Sequence, residues 1–287
     1  MALSPEPPAI KLQPDFYISA HAIQLGQNIH ALDLLQGSSP GEAFQERQFL
    51  DLGCGTGDFT RDHLLPRCSP CRRMVAADVS LEMIEFARKH FPHPKICYDL
   101  LDISASEVTG FVLKYGQFDR VFSFFCLHWI KDQKTAMTNV AALMKPGGDC
   151  LLLFNAYTRV TLLRRKLARM DHWKKYAKEC ERSVPPTVDL VGKGKDALMS
   201  YVQDLLRSAD LTPITCDVWP WPSENDTLDK TIEKKMGYCL LSTLVTEEDR
   251  PVLIQDVTEY VKEAMAQKEA GCLTPEGEIF FVHACKP

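Results

Sequence analysis

Short hydrophobic runs alternate with longer mixed segments through the first half of the chain. The runs predict five β-strands, at residues 48–52, 73–78, 96–98, 118–126 and 149–154. The segments between them predict four helices, at residues 58–65, 81–90, 104–115 and 132–144. Strands that alternate with helices over this length form βαβ units. The pattern therefore predicts a parallel sheet covered by helices on both faces.

The pattern changes after Asn155, where helical segments become longer. They predict helices at residues 160–182, 195–209, 226–244 and 247–269, and two more strands at 211–219 and 278–284. Before the first strand, a helix is predicted at 15–36, behind a proline-rich, flexible arm of residues 1–14. We predict a single α/β domain over residues 15–287, with a doubly wound, mostly parallel sheet of seven strands. Its ligand-binding core is about 48–155, and helices from 15–36, 160–209 and 226–269 are predicted to form a lid.

Composition and charge exclude several classes of protein. The chain has 287 residues, 45% of them hydrophobic, and a net charge of −5, which argues against a constitutive nucleic-acid binder. No apolar run approaches the roughly 20 residues of a membrane span, and the N-terminus lacks the apolar core of a signal peptide. We therefore expect a cytoplasmic protein with no membrane span. The composition leaves the oligomeric state open, a homodimer included.

The cysteines and the basic residues are better explained by structural or solvent-exposed roles than by ligand binding. Eleven cysteines, scattered through apolar segments, fit buried reduced thiols better than a disulfide framework. Cys68 and Cys71 have the spacing of zinc ligands, but no second pair follows, so no metal site is predicted. A basic run between Arg159 and Lys178 is interpreted as the solvated face of a helix rather than a phosphate or membrane contact.

A glycine-rich segment after the first strand carries the clearest chemical signal. Gly53, Gly55 and Gly57 follow a strand that holds Asp51, and Asp58 opens the next helix. Glycines allow a sharp turn and the close approach of a ligand to the backbone. A dinucleotide loop would place its third glycine at position 58, where a carboxylate would instead compete with a phosphate. The loop therefore suits a cationic ligand better than a pyrophosphate.

Acidic residues end the next two predicted strands as well. Asp78 ends the second strand, where a carboxylate is placed to bind a ribose diol. Asp102 follows the third strand and is placed to accept a hydrogen bond from an exocyclic amine, with Ile103 packing on a purine face. The alternative is that both aspartates merely cap the elements that follow them. Three such features at three successive strand ends favour a nucleoside-binding site.

With Lys145-Pro-Gly-Gly148, these segments resemble the motifs of class I S-adenosylmethionine-dependent methyltransferases over residues 48–154. The resemblance implies a seven-stranded doubly wound sheet with an antiparallel last strand. It also implies S-adenosyl-L-methionine as cofactor and S-adenosyl-L-homocysteine as product. In that family the glycine loop holds the methionine part, Asp78 the ribose, Met83 flanks the adenine and Asp102 takes its amine. The implied cofactor-binding set is Asp51, Gly53, Cys54, Gly55, Gly57, Asp78, Val79, Met83, Asp102 and Ile103.

A narrower resemblance concerns the substrate side. The segments 17–24, 122–129, 145–154 and 280–287 are similar to those of arthropod juvenile hormone acid methyltransferases. There a glutamine on the N-terminal helix and a tryptophan after the fourth strand hold the substrate carboxylate. Gln24 and Trp129 match these positions, with Gln27 as a rival for the first because the residues after Gln24 depart from the family pattern. The resemblance implies a small apolar carboxylic acid, farnesoic acid or juvenile hormone acid, as substrate.

Three hypotheses follow for the reaction. In the first, a carboxylate attacks the methyl group; it is already ionised at neutral pH, so positioning suffices and no base is needed. In the second, the acceptor is a hydroxyl or amine of another small molecule and His128 is the catalytic base. A packed, structural imidazole is the favoured interpretation of His128. In the third, the protein binds the cofactor without turnover.

Overall fold

One mixed sheet organises the fold. The computed structural model describes Pro14 and residues 22–36, 46–222, 226–239, 241–270 and 276–287. In that part of the chain seven strands form a sheet of order β3-β2-β1-β4-β5-β7-β6. The strands are β1 Gln48–Leu52, β2 Arg73–Asp78, β3 Ile96–Leu100, β4 Phe118–Phe124, β5 Met144–Thr158, β6 Thr212–Pro220 and β7 Gly277–Cys285. β1 to β5 pair in parallel, whereas β7 is antiparallel to both β5 and β6. The predicted doubly wound, seven-stranded, mostly parallel sheet is confirmed.

The helices connect these strands and cover the sheet. They are α1 Ala22–Gln36, α2 (a π-helical turn Thr60–Leu64 continued by Leu65–Cys68), α3 Leu81–His90, α4 Thr109–Tyr115, α5 Gln133–Leu143, α6 Arg159–Ala168, α7 Ala177–Arg182, α8 Lys195–Ser208, α9 Leu228–Tyr238, α10 Leu241–Leu244 and α11 Arg250–Glu269. Most lie where the sequence predicts them. Residues 1–13 of the predicted arm and residues 15–21 of the first predicted helix lie outside the described residues.

Two predicted helices are wrong in their continuity. The helix predicted at 160–182 is divided into α6 and α7 by a 3-10 segment, Asp171–Tyr176. The division follows from Met170, whose backbone is extended, and from Trp173, which turns inward and donates its indole N–H to Asp256 Oδ2 at 2.6 Å. Similarly, the helix predicted at 226–244 is interrupted at Cys239, which has an extended backbone between α9 and α10.

Successive side chains of β1 pack into different cores on the two faces of the sheet. Leu50 and Leu52 point to the face that α4, α5 and α8 cover, whereas Phe49 points to the face that α1, α2 and α3 cover. Asp51, between two leucines that face the other way, therefore lies on the same face as Phe49. Both faces of the sheet are buried, so the functional groups concentrate where strands end, at the carboxyl edge.

A third apolar core lies outside the sheet. It consists of side chains from α6, the 3-10 segment, α7, α10 and α11, among them Leu163, Trp173 and Val257. These helices form a lobe of their own, which we call the helical lobe. One segment of the predicted lid, 195–209, forms α8, whose Leu198, Val202 and neighbouring leucines pack on the sheet core. Its apolar stripe selects the sheet, because the strongly amphipathic helix needs a continuous apolar partner.

Charged and metal-ligating residues require one correction. Of the basic run, Lys166 and most later members are exposed as predicted, but Arg159 and Arg164 are only 6% and 4% exposed. They lie on the inner side of α6, which faces the sheet and the helical lobe, so the prediction of a solvated face is wrong for these two. Among the described residues, no group of three histidine, cysteine or acidic side chains is arranged to hold a metal ion, and no helix is long and apolar enough to cross a membrane.

Candidate active site

The glycine loop between β1 and α2 is tied to the end of the neighbouring strand. Gly53 and Cys54 donate their backbone N–H groups to the Ala77 carbonyl at 2.7 and 3.0 Å. Gly53, Gly55 and Gly57 all have positive φ angles, of 77°, 54° and 78°. A Cβ atom on Gly53 would lie 2.4 Å from the Cβ of Cys126. The glycines are therefore required by the close packing of the loop against its own protein as well as by its turn.

Two carboxylates stand beneath this loop. Asp51 is 2% exposed and accepts a hydrogen bond of 2.6 Å from the Thr60 hydroxyl. Burial raises the pKa of Asp51 to about 7, and the nearby negative charges of Asp78 and Asp58 raise it further against the effect of Thr60. Burial also raises the pKa of Asp78. A cationic ligand beside these carboxylates would supply the positive charge that favours their ionised forms.

Asp78 also fixes the shape of the loop. Its two carboxylate oxygens accept from the backbone N–H groups of Gly55, at 3.0 Å, and Ser80, at 2.9 Å. The second bond lies at the start of α3. The Ser80 hydroxyl caps this helix by accepting a hydrogen bond from the Met83 backbone N–H at 3.3 Å. Asp78 thus has the capping role that was the alternative to ligand binding, and it also holds the glycine loop in place.

The remaining predicted cofactor residues line the same edge of the sheet. Asp102 Oδ1 accepts from the Ser104 backbone and hydroxyl at 2.9 and 2.6 Å, and Leu101 N donates to the Asp78 carbonyl at 3.0 Å. Met83 and Ile103 are each 5% exposed. Around them lie three exposed apolar side chains: Val79 (48%), Leu81 (52%) and Leu100 (44%). An open apolar surface beside carboxylates suits a purine ring with its amine.

Trp129 and His128 lie on a 3-10 turn, Leu127–Trp129, just after β4. Phe125, which precedes this turn, has a positive φ of 52°, a strained conformation for a bulky side chain. Its ring meets the edges of both His128 and Trp221, with centroid distances of 6.5 and 5.7 Å. Cys126, in the same segment, touches the glycine loop at Gly53. The turn that carries Trp129 and His128 thus follows directly on a residue packed against the glycine loop.

His128 is a buried, neutral imidazole. It is 6% exposed, and burial, together with the positive charge of Arg164, lowers its pKa to about 3. Its Nε2 lies 3.4 Å from the Asn155 side-chain nitrogen, whereas its Nδ1 is buried without a hydrogen-bond partner in the described structure. If the amide donates to Nε2, the imidazole proton is on Nδ1.

The predicted substrate glutamines share one stripe of α1. Gln24 and Gln27 are both half-buried, three residues apart, on the side that continues into the buried Asn28, Ala31 and Leu35. Asn28, one turn beyond Gln24, has a buried side-chain oxygen with no partner among the described residues. Residues 17–21 of the substrate motif that precedes Gln24 lie outside the described residues.

The sequence did not single out three polar residues: Arg164 and Asn155, which lie beside Trp129 and His128, and Asn28 on the buried side of α1. Arg164 lies with its guanidinium carbon 5.3 Å from the centre of the Trp129 ring, but the basic run concealed it. Asn155 contacts His128 and follows the predicted fifth strand with no motif to mark it. Asn28 was passed over within a helix described by its apolar positions. The only sequence signal for Asn28 and Arg164 is a polar residue at an inward position of an amphipathic helix.

A family model described as a methyltransferase domain matches residues 50–152. These residues contain the whole predicted cofactor-binding set, and the sheet has the seven strands and the antiparallel last strand that the motifs implied. Residues 50–152 of this chain are a methyltransferase domain. The resemblance seen in the motifs is thereby confirmed at this level, whereas Gln24, Asn155 and Arg164 lie outside the matched residues.

Two curated relatives match the methyltransferase domain and its surroundings. The juvenile hormone acid O-methyltransferase of Bombyx mori is 31% identical over 175 residues, which are 61% of this chain and 62% of the relative. That of Drosophila melanogaster is 31% identical over 176 residues, 61% of this chain and 59% of the relative. The matches thus span about three fifths of the length of these relatives.

The fold of the methyltransferase domain is also found in solved structures. The YcgJ protein of Bacillus subtilis superposes with a TM-score of 0.54 and 16% sequence identity. The superposition covers 90% of this chain and 98% of that one. At this identity the similarity describes the fold and not the substrate.

Proposed function

We propose that this protein is an S-adenosylmethionine-dependent carboxyl O-methyltransferase that forms the methyl ester of a sesquiterpenoid acid, farnesoic acid or juvenile hormone acid. The methyltransferase domain supports the reaction class, and the two relatives at 31% identity support the class of acceptor. The ten described cysteines are free thiols, six of them buried, which agrees with the cytoplasmic location that belongs to this proposal.

The glycine-loop edge of the sheet fits the proposed cofactor. S-adenosylmethionine supplies an electrophilic methyl group on a sulfonium, and it carries a second positive charge on its ammonium. Asp51 and Asp78 would provide the negative charges near the loop, with Asp78 also within reach of ribose hydroxyls. Asp102 would accept from the adenine amine, between Met83 and Ile103. The fit rests on two buried carboxylates beside the glycine loop, Asp51 and Asp78, whose pKa values are raised chiefly by burial.

On the acceptor side, the protein would bind and orient a carboxylate. The Trp129 indole N–H and the Gln24 amide are hydrogen-bond donors that hold one carboxylate oxygen while the other faces the methyl group. Phe125 and Trp221 add an apolar wall next to His128, suited to a hydrocarbon chain. Because a carboxylate is already ionised at neutral pH, no proton has to be removed.

The state of His128 is the observation that carries this proposal. A base that deprotonates a hydroxyl or an amine works best with a pKa near the operating pH. Burial instead lowers the pKa of His128 to about 3, with Arg164 as the second cause. Such an imidazole accepts a proton poorly, yet it lies directly beside Trp129, with ring centroids 5.0 Å apart. The arrangement favours an acceptor that needs no base.

Two variants test the assignment with radiolabelled S-adenosylmethionine and farnesoic acid. Trp129→Phe keeps an aromatic ring but removes the N–H donor, so we expect kcat/KM for the acid to fall by about 10- to 100-fold. His128→Asn keeps a polar side chain but removes the imidazole, so we expect a loss of less than about tenfold. Calorimetry with S-adenosylhomocysteine controls for cofactor binding, which neither change should alter by more than about twofold.

The competing reactions give different results in the same assay. Loss of about 10²- to 10⁴-fold in His128→Asn, with cofactor binding intact, is the signature of general base catalysis and contradicts carboxyl methylation without a base. Tight cofactor binding with no transfer to any acid, alcohol or amine by the wild type would instead show a protein that binds the cofactor without turnover.

A further inference from the structure

Arg164 is a buried cation to which no described carboxylate is paired. It is 4% exposed on the inner side of α6, and its two terminal nitrogens donate to backbone carbonyls, Ser183 O at 3.3 Å and Tyr238 O at 2.7 Å. Burial lowers the pKa of Arg164 to about 10, and the groups that oppose this change are the thiols of Cys239 and Cys180. An arginine in the interior is costly unless a negative charge compensates it.

Two other arginines of the same helix, the buried Arg159 and the half-buried Arg165, are paired with carboxylates. Arg159 forms an ion pair with Glu276 at 3.2 Å, and Arg165 forms one with Asp189 at 2.6 Å. Arg164, between them in sequence, instead turns its guanidinium over the face of Trp129, 5.3 Å from the ring centre. The exception on α6 is therefore the arginine that lies against the proposed acceptor site.

Three buried side-chain atoms that lack a hydrogen bond within the described structure belong to residues linked to Trp129 by contacts. Within the described structure, the buried polar atoms that lack a hydrogen bond include Arg164 Nε, His128 Nδ1 and Asn155 Oδ1. The three residues form one contact chain through Trp129: the His128 ring lies 5.0 Å from Trp129, and the Asn155 amide lies 3.4 Å from His128. Arg164 Nε is a donor, and His128 Nδ1 is a second donor in the tautomer in which the Asn155 amide donates to Nε2. Buried donors without acceptors, next to an uncompensated cation, indicate a place for an anion.

We propose that Arg164 is the specificity-determining charge of the acceptor site, which makes the enzyme select a carboxylate over a neutral or cationic acceptor. This inference rests on the proposed function. Arg164 would act partly through Trp129, whose ring it holds by a cation–π contact, and partly through its field in a site that excludes water. The charge keeps a bound acid ionised as water leaves, so that the attacking oxygen stays nucleophilic. It also repels an amine acceptor in its protonated form.

Binding separates this inference from the reaction itself. With S-adenosylhomocysteine present, calorimetry compares the affinity for farnesoic acid with that for farnesol and methyl farnesoate, which have the same chain without the charge. We expect the wild type to bind the acid at least about tenfold more tightly than either neutral ligand, and Arg164→Met to abolish that preference. Arg164→Lys, which keeps the charge without the planar guanidinium, should restore part of it. Arg165→Met, the neighbouring arginine paired with Asp189, is the matched control and should keep the preference.

Changes in KM and in the pH profile of kcat would distinguish a role in acceptor binding from a purely structural role of Arg164. In Arg164→Met we expect the KM for farnesoic acid to rise more than kcat falls. We also expect the acid limb of the pH profile of kcat to move up by about one pH unit, because the bound acid loses the charge that keeps it ionised. Circular dichroism and thermal unfolding identify a variant that does not fold, in which case Arg164→Lys carries the comparison.

The outcomes are distinguishable. Equal affinity of the wild type for acid and alcohol, or an unchanged preference and pH limb in folded Arg164→Met, would overturn the role of Arg164. A wild type that binds the acid selectively but forms no ester would contradict the proposed function and leave the charge selection standing.

Discussion

Replacing Asp51 with asparagine should stabilise the ligand-free protein while it weakens cofactor binding. The pKa of Asp51 is about 7 in the folded state, against 3.8 ordinarily, chiefly because the side chain is buried. Between these values the folded state holds one proton more than the unfolded state. Stability due to this group is therefore fully present below pH 4 and is lost as the pH rises through 7. Asparagine keeps the shape of the side chain and an oxygen that can accept from Thr60, but it cannot ionise.

The pKa difference fixes the size of the effect. For a group with pKa values of 3.8 and about 7, raising the pH from 5 to 8 destabilises the folded state by about 2.5 kcal/mol. Asp51→Asn lacks this loss, so the difference in free energy of unfolding between variant and wild type should grow by that amount over the same interval. Comparing two pH values cancels any constant effect of the substitution on packing.

Urea unfolding at pH 5, 6, 7 and 8, without ligand, measures this difference directly. We expect the free energy of unfolding of the variant, relative to that of the wild type, to increase with pH. The variant should also bind S-adenosylmethionine at least about tenfold more weakly at pH 8. A stability difference that stays the same from pH 5 to pH 8 would refute the argument that Asp51 is a protonated, uncompensated carboxyl in the ligand-free protein.

Two further predictions concern the same edge of the sheet. Because a cationic ligand favours ionised Asp51, the affinity of the wild type for S-adenosylmethionine should fall by about tenfold from pH 8 to pH 6, and protons should be released on binding at pH 6. Calorimetry in buffers of different ionisation enthalpy measures both effects. The same pH dependence of affinity in Asp51→Asn would contradict this prediction. Gly53→Ala should destabilise the protein by about 2 kcal/mol or more, because its Cβ would lie 2.4 Å from Cys126 and its φ is positive. The matched control is Gly26→Ala in α1, where a Cβ would have no neighbour within 4 Å. Thermal unfolding should show that this variant is stabilised by about 0.5–1 kcal/mol. Equal destabilisation of the two variants would contradict the role of close packing at Gly53.

The cofactor half of the site could be predicted from the sequence because its signals are local. Strand, glycine turn and helix follow one another closely in the sequence; Asp78 ends β2 and Asp102 lies two residues after β3, in the parallel part of the same sheet. Such a sheet brings its strand ends together at one edge, so the linear order of the motifs already implies their proximity. The structure adds what the pattern does not contain: the Gly55–Asp78 hydrogen bond and the packing of Gly53 against Cys126.

The acceptor half could not be predicted to the same depth, because its residues come from distant segments. Arg164 is 35 residues from Trp129, and only the tertiary packing of α6 brings its guanidinium over the Trp129 ring. In the sequence, Arg164 is one of many basic residues, and burial alone distinguishes it from Lys166. The helical periodicity of 160–182 likewise gives no sign that the helix ends before Asp171, since that break depends on Trp173 reaching Asp256 on α11.

The most direct test of the whole account is methyl transfer by the wild-type protein to a panel of acceptors. Labelled S-adenosylmethionine is offered with farnesoic acid, juvenile hormone acid, a long-chain fatty acid and an aromatic acid, with farnesol and farnesylamine as uncharged and cationic counterparts. We expect a labelled, base-hydrolysable ester from the sesquiterpenoid acids and no methylated product from the alcohol or the amine. Label transferred to the alcohol or the amine but to no acid, with cofactor binding established by calorimetry, would contradict it.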